Sequence, residues 1–225
     1  MSLNQEISTI GVIGDVHAED ELLDKAVLFL KSKNVEKILC VGDIVDGLGD
    51  VNKCCNILMG EDILVILGNH DRWLLKNEMR SLKDATQLNS LSKFSLSFLS
   101  SLPLTLDLST PHGSALLCHG LGKNDMARLT PHDYGYAIEA NIDLQNLISE
   151  QKYRYVINGH THYKMVRNFG KLTIINSGTL KRDHAPGFLL IDFVQQFVQF
   201  YKFFEDFTIE DSERVNLLQS PYKIH

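Results

Sequence analysis

Four short stretches decide how this chain folds: Val12-Ile13-Gly14-Asp15, Cys40-Val41-Gly42-Asp43, Ile66-Leu67-Gly68-Asn69 and Ile157-Asn158-Gly159-His160. Each is an apolar run of strand length that ends in a glycine and then in a polar residue able to bind a metal. A fifth run, Leu116-Leu117-Cys118, delivers His119 without the glycine. Open α/β sheets carry their sites outside the carboxyl ends of their strands, so five such ends can gather their polar residues on one rim. Glycine permits the sharp exit and the close backbone approach that this requires.

Outward from these points, apolar runs alternate with stretches of helical period, which favours α/β over all-α or all-β. Strands are expected at 8–13, 37–41, 63–67, 114–118, 153–157, 172–175, 187–193 and 197–203. Between the first two, Leu22, Leu23, Ala26, Val27 and Leu30 have the spacing of an amphipathic helix over 20–33. Further helices are expected at 51–58, 72–80, 84–99 and 136–150. Thr208 with Asp211 three residues on reads as a capping box that opens a last helix through 218.

A chain of 225 residues, 44% hydrophobic and 22% charged, suits one globular domain over 1–225 and excludes disorder. Its longest apolar runs, such as 26–30, are about five residues against the roughly 18 of a membrane span. The opening residues, from Met1 to Glu6, lack the basic and apolar regions of a secretory signal, so a cytoplasmic protein is expected. A net charge of −6 argues against an extended nucleic-acid or anionic-lipid surface. Cys40, Cys54, Cys55 and Cys118 form no CxxC pair and read as reduced, mostly buried thiols.

Histidine carries the chemical signal. Asp15 with His17, and His160 with His162, are i, i+2 pairs whose side chains face the same way in extended backbone. With Asp43, Asn69 and His119 they make seven candidate ligands. That is too many for one zinc and suits two metal ions with one bridging carboxylate.

Five blocks, in order, carry a family resemblance: Gly14-Asp15-Val16-His17, Gly42-Asp43-Ile44-Val45-Asp46-Gly47, Gly68-Asn69-His70-Asp71, His119-Gly120 and Gly159-His160-Thr161-His162. The chain resembles the calcineurin-like metallophosphoesterases. With the later Asn176-Ser177-Gly178-Thr179 it is similar to their small bacterial and archaeal phosphodiesterase branch. The resemblance implies a four-layer α/β/β/α sandwich of two mixed sheets. It implies one metal on Asp15, His17, Asp43 and His162, and another on Asp43, Asn69, His119 and His160. A bridging hydroxide would then attack phosphorus in line, with His70 stabilising the phosphoryl oxygens or protonating the leaving oxygen and Asp71 orienting it. Asn69 and His70 would also touch substrate. Mixed imidazole, amide and carboxylate donors favour manganese, iron, zinc, cobalt or nickel over magnesium.

Gly47 stands where the serine/threonine phosphatases and symmetrical dinucleoside tetraphosphatases usually have an arginine. A small phosphate-ester or nucleotide diester is therefore the preferred substrate, with a monoesterase or dinucleoside polyphosphate hydrolase as the alternative reading. An interaction module of the same fold would have a decayed site, and here all seven candidates and His70 are present. Asp46 reads as turn or support, not as a ligand. Arg128, Lys181 and Arg182 lie in loops near the blocks, with Arg128 and Arg182 as candidate substrate contacts. His112, His132, His184 and His225 belong to no motif, and only the loop of His184 suits an approach to the site. The Phe-rich stretch 193–207 reads as sheet packing, and an exposed share of it would suit a contact between two copies.

Overall fold

The structure is a computed structural model that describes residues 6–60 and 63–218; the first five residues and His225 lie outside it. In chain order the strands begin with β1 (Thr9–Ile13), β2 (Lys37–Cys40), β3 (Ile63–Val65), β4 (Thr105–Thr110), β5 (Gly113–Cys118) and β6 (Tyr155–Asn158). They continue with β7 (Lys164–Phe169), β8 (Leu172–Ser177), β9 (Gly187–Asp192), β10 (Phe197–Phe203) and β11 (Ile209–Asn216). The helices are α1 (Asp20–Ser32), α2 (Val51–Leu58), α3 (Asn69–Leu75), α4 (Lys93–Ser101), α5 (Tyr136–Glu139) and α6 (Ile142–Glu150).

The strands form two mixed sheets, ordered β11-β10-β9-β1-β2-β3 and β4-β5-β6-β8-β7. In the first sheet β1, β2 and β3 run parallel while β9 to β11 return antiparallel. In the second, β5, β6 and β8 are parallel between the antiparallel edges β4 and β7. Parallel pairing aims the ends of β1, β2 and β3, and of β5 and β6, at one rim.

Three apolar layers hold the stack. Leu22, Leu23, Ala26 and Leu30 of α1 pack with Phe188 and Tyr201 of the first sheet. Ile10, Val12, Leu39, Leu189 and Phe200 face Leu117, Tyr155, Ile157 and Ile175 across the middle. On the far side Leu144 and Leu147 of α6 cover Leu116, Val156 and Ile174. At roughly 1.5 to 3 kcal/mol for each large side chain fully buried, the middle layer supplies the strongest reason for the sheets to stay face to face. The four-layer sandwich of two mixed sheets flanked by helices is thus the architecture found. All four cysteines are free and buried, and no helix among the described residues is long and apolar enough to cross a membrane.

Several element expectations are corrected. Residues 209–216 form β11 on the edge of β10 and not a helix, because that edge offers ladder partners and Asp206 instead holds Thr208 in a turn, accepting its N–H at 3.0 Å. The helix expected over 84–99 begins only at Lys93, where Ser92 caps it by accepting the N–H of Ser95 at 3.0 Å. Similarly, Asn141 caps α6 and splits the helix expected over 136–150. The helix expected over 72–80 starts earlier, at Asn69, and has ended by Lys76. Two edge strands, β4 and β7, have weak apolar alternation and were not expected. The Phe-rich stretch does pack in the first sheet, with Phe193, Phe200 and Phe203 buried and Phe204 exposed.

Candidate metal centre

All seven candidate ligands meet on the rim where the two sheets face. Asp15 and His17 follow β1, Asp43 follows β2 and Asn69 opens α3 just beyond β3. His119 follows β5, while His160 and His162 follow β6. Asp15, His17, Asp43, His160 and His162 all have left-handed backbone, with φ of 36°, 45°, 49°, 68° and 63°. Such a cluster of sparsely populated conformations is typical of sites whose surroundings over-determine them. At Gly159 a Cβ would lie 2.5 Å from Oδ2 of Asp15, so only glycine lets that carboxylate reach the next N–H. The N–H of His160 donates to Oδ1 and Oδ2 of Asp15 at 2.9 and 3.0 Å.

The rings are oriented from behind. Nδ1 of His17 donates to the carbonyl of Asp46 at 3.0 Å, and Nδ1 of His119 to the carbonyl of Val41 at 2.6 Å. Each therefore turns Nε2 inward. His162 turns Nε2 inward too, 3.1 Å from Nε2 of His17, and its Nδ1 lies 2.6 Å from Nδ1 of His184. On the other side Oδ1 of Asn69 lies 2.9 Å from Nε2 of His119 and 2.8 Å from Nδ1 of His160. Oδ2 of Asp43 sits between the two groups, 3.3 Å from Nε2 of His119 and 4.0 Å from Nε2 of His17.

Electron-pair donors that converge this closely fit cations. Donor atoms of Asp15, His17 and His162 lie within 4.8 Å of one another, as do those of Asp43, His119 and His160. A third group, His17, Asp43 and His70, meets the same limit. Burial pushes Asp15 up to about 8. Burial also lowers His160 to about 4 with help from His119, and His162 to about 3 with help from His17. Burial works against charge on both His119 and Asp43, but their mutual attraction wins, raising His119 to about 10 and holding Asp43 well below the usual carboxylate range. A proton on His119 thus stands where a cation is wanted.

His70 lies at the edge of this centre with Nε2 4.0 Å from Oδ2 of Asp43. Its Nδ1 is 2.7 Å from Oδ2 of Asp46, and not against Asp71. The orienting role expected of Asp71 is therefore corrected. Asp71 is fully buried and accepts from the N–H groups of Ile44, Val45 and Gly68 at 2.8, 3.2 and 2.9 Å, so it ties the loop after β2 to the start of α3. Asp46 accepts in turn from Arg80, at 2.8 Å to Oδ1 and 3.1 Å to Oδ2. Spacing gave no sign of Arg80 or of the Asp46 pairing with His70, because the partners are 34 and 24 residues apart.

Two clefts run from the centre. One, of about 440 Å³, is bordered by His17, His70, Leu48, Leu82, Lys83 and Arg182. The other, of about 670 Å³, is bordered by Arg128, His160, Tyr163, Lys164 and His184. His162 borders both. Arg128 and Arg182 accordingly sit in different clefts, and Arg182 is held by Glu19, 2.5 Å from its Nε.

A two-sheet sandwich with a rim of histidines, carboxylates and one amide offers the donor set of a metal centre. The profile of the calcineurin-like phosphoesterase superfamily domain matches residues 9–196, and the chain belongs to that family. An uncharacterized protein of Methanocaldococcus jannaschii is 23% identical over 193 residues, which span 81% of this chain and 74% of that protein. Among solved structures, a hypothetical protein of Pyrococcus horikoshii aligns with a TM-score of 0.71 at 15% identity, covering 86% of this chain and 87% of that one. A structure called a novel archaeal phosphodiesterase aligns with a TM-score of 0.51 at 17% identity, covering 91% and 98%. The family is divalent-metal dependent, and the three side-chain groups above are where this chain has the donors for it.

Proposed function

We propose that the protein hydrolyses phosphodiesters, with a small or nucleotide diester as substrate. The observation that carries this is the pair of clefts that share His162 and Asp183 as borders. A diester has two groups on phosphorus and uses both clefts, whereas a monoester leaves one unused. Position 47 supports the same reading, since a Cβ on Gly47 would lie 1.8 Å from the carbonyl oxygen of His17 and leaves no room for an arginine clamp. The archaeal structure named a phosphodiesterase is consistent with it.

Asp15, His17, Asp43 and His162 would hold one ion, and Asp43, Asn69, His119 and His160 the other. Manganese, iron, zinc, cobalt and nickel suit these donors better than magnesium. Two such ions supply positive charge for the phosphoryl oxygens and lower the pKa of water. The protein does the rest. Asp46 fixes the His70 ring with Nδ1–H toward Oδ2, which leaves Nε2 facing the centre. Burial opposes charge on His70, but the Asp46 hydrogen bond and the charges of Asp43, Asp46 and Asp71 together outweigh it and raise the His70 pKa above its ordinary value. As the oxygen of a water that has already given one proton to solvent bonds to phosphorus and the opposite P–O bond breaks, His70 passes its Nε2 proton to the departing oxygen. Arg128 and Arg182 then contact the two ester groups from their separate clefts.

The test is a panel of a nitrophenyl diester, the matching monoester, cyclic nucleotides and dinucleoside polyphosphates, each with several divalent metals. Diesters should show the highest kcat/KM. A consistent preference for monoesters would sink this reading.

A further inference from the structure

We propose that Arg80 is a positioning residue for the reaction, acting on His70 through Asp46. The inference rests on the reading of His70 as the group that protonates the leaving oxygen. Arg80 lies beyond α3 in a segment that is irregular save for a 3-10 turn at Leu88–Ser90. Nothing in the segment's own periodicity fixes its course, yet it ends against the catalytic rim.

The guanidinium does this in two ways. Nη1 and Nη2 take both oxygens of Asp46, while Nη1 also donates to the carbonyl of Thr86 at 2.8 Å and Nε to that of Glu78 at 2.6 Å. Thr86 completes the clasp: its N–H donates to Oδ1 of Asp46 at 2.9 Å, and its Oγ1 accepts from the Asp46 N–H at 3.0 Å. The Arg80 and Asp46 side chains are only 10% and 2% exposed. An exposed ion pair would contribute almost nothing, but a buried forked pair with its other hydrogen bonds satisfied holds one geometry.

That geometry is what His70 needs. With Oδ1 taken by Arg80 and Thr86, and Oδ2 by Arg80 and His70, the carboxylate cannot turn about its Cβ–Cγ bond without breaking several bonds. Oδ2 therefore stays aimed at Nδ1 of His70, and the imidazole keeps Nε2 toward the reacting centre. Leu82 and Lys83 of the same segment border the first cleft. One arginine thus fastens a cleft wall and orients the acid behind it.

The experiment compares Arg80→Ala, Arg80→Lys, His70→Ala and the Arg80→Ala/His70→Ala double variant. Each is manganese-loaded and assayed for kcat and KM on an alkyl diester. Arg80→Ala should lower kcat by about 10 to 100-fold with metal content unchanged, the usual worth of a group that orients another. Added guanidinium should restore part of the loss. In the His70→Ala background the same substitution should cost nothing more. Arg80→Lys keeps the buried charge and serves where Arg80→Ala does not fold; it should show a smaller kcat loss that is likewise absent without His70. Undiminished kcat, a loss confined to KM, loss of metal, or an equal further loss without His70 would overturn the inference. An unimpaired His70→Ala variant would instead sink the reading of His70 itself, so the two failures are distinct.

Discussion

Nε2 of His17 and Nε2 of His162 face each other across 3.1 Å, although the residues are 145 positions apart in the chain. The carbonyl of Asp46 takes the Nδ1 proton of His17, so that ring presents a lone pair. His162 offers a second lone pair at Nε2 when its Nδ1 carries the proton toward His184, and the two rings are then placed to share one cation.

Removing either ring should therefore cost the same ion. His17→Ala and His162→Ala should each retain about one metal per chain, His119→Ala should lose the other ion, and Asp43→Ala should lose both. Elemental analysis of the four variants after identical loading checks this. Equal two-metal content in His17→Ala and the unaltered protein would contradict the assignment.

Loading should release protons, with a defined pH dependence. Without metal at pH 7, Asp15 (about 8) and His119 (about 10) hold protons, while His160 (about 4) and His162 (about 3) do not. Bound ions require all four deprotonated. The side chains should release about two protons per chain on loading at pH 7, about one between pH 8 and 10, and almost none above, and the proton that bound water loses adds to these counts. Apparent affinity must then rise with pH. Titration calorimetry in buffers of differing ionisation enthalpy counts the protons, and a count that fails to fall between about pH 8 and 11 would refute the scheme.

His70→Ala should keep both metals and lower turnover on an alkyl diester by about 10² to 10⁴-fold. A nitrophenyl diester should suffer less, because its leaving group departs without a proton. Metal loss from this variant would instead place His70 among the ligands, in the group it shares with His17 and Asp43.

Gly47→Ala should destabilise the fold by about 1 to 3 kcal/mol, the range for overpacking, because the new methyl meets the carbonyl oxygen of His17. The displaced His17 should bind its ion more weakly. Thermal melts with and without chelator measure both effects.

The strand ends and the metal rim were legible because each rests on local pattern: apolar runs mark β1, β2, β5 and β6, and the residues that follow carry the donors. What is set by distant partners was not legible. Residues 209–216 read as a helix from one capping signal, but the free edge of β10 decided the matter. Asp71 read as the partner of His70 because it is adjacent in sequence. Helix geometry turns Asp71 back to the N–H of Gly68, and Asp46 arrives from the loop after β2. His184 carried no motif, and it meets His162 only because the turn after β8 folds back over the rim.

The rim draws Asp15, His17, Asp43 and Asn69 from one sheet and His119, His160 and His162 from the other. Bound ions are in that sense rivets through a joint. The His160 N–H reaches the Asp15 carboxylate across 145 residues of chain, a closure worth about 4 kcal/mol of lost freedom that no short segment repays. The seam should accordingly be the last part to assemble on refolding, so that catalytic competence trails the recovery of secondary structure. Chelation should loosen the seam before it loosens either sheet.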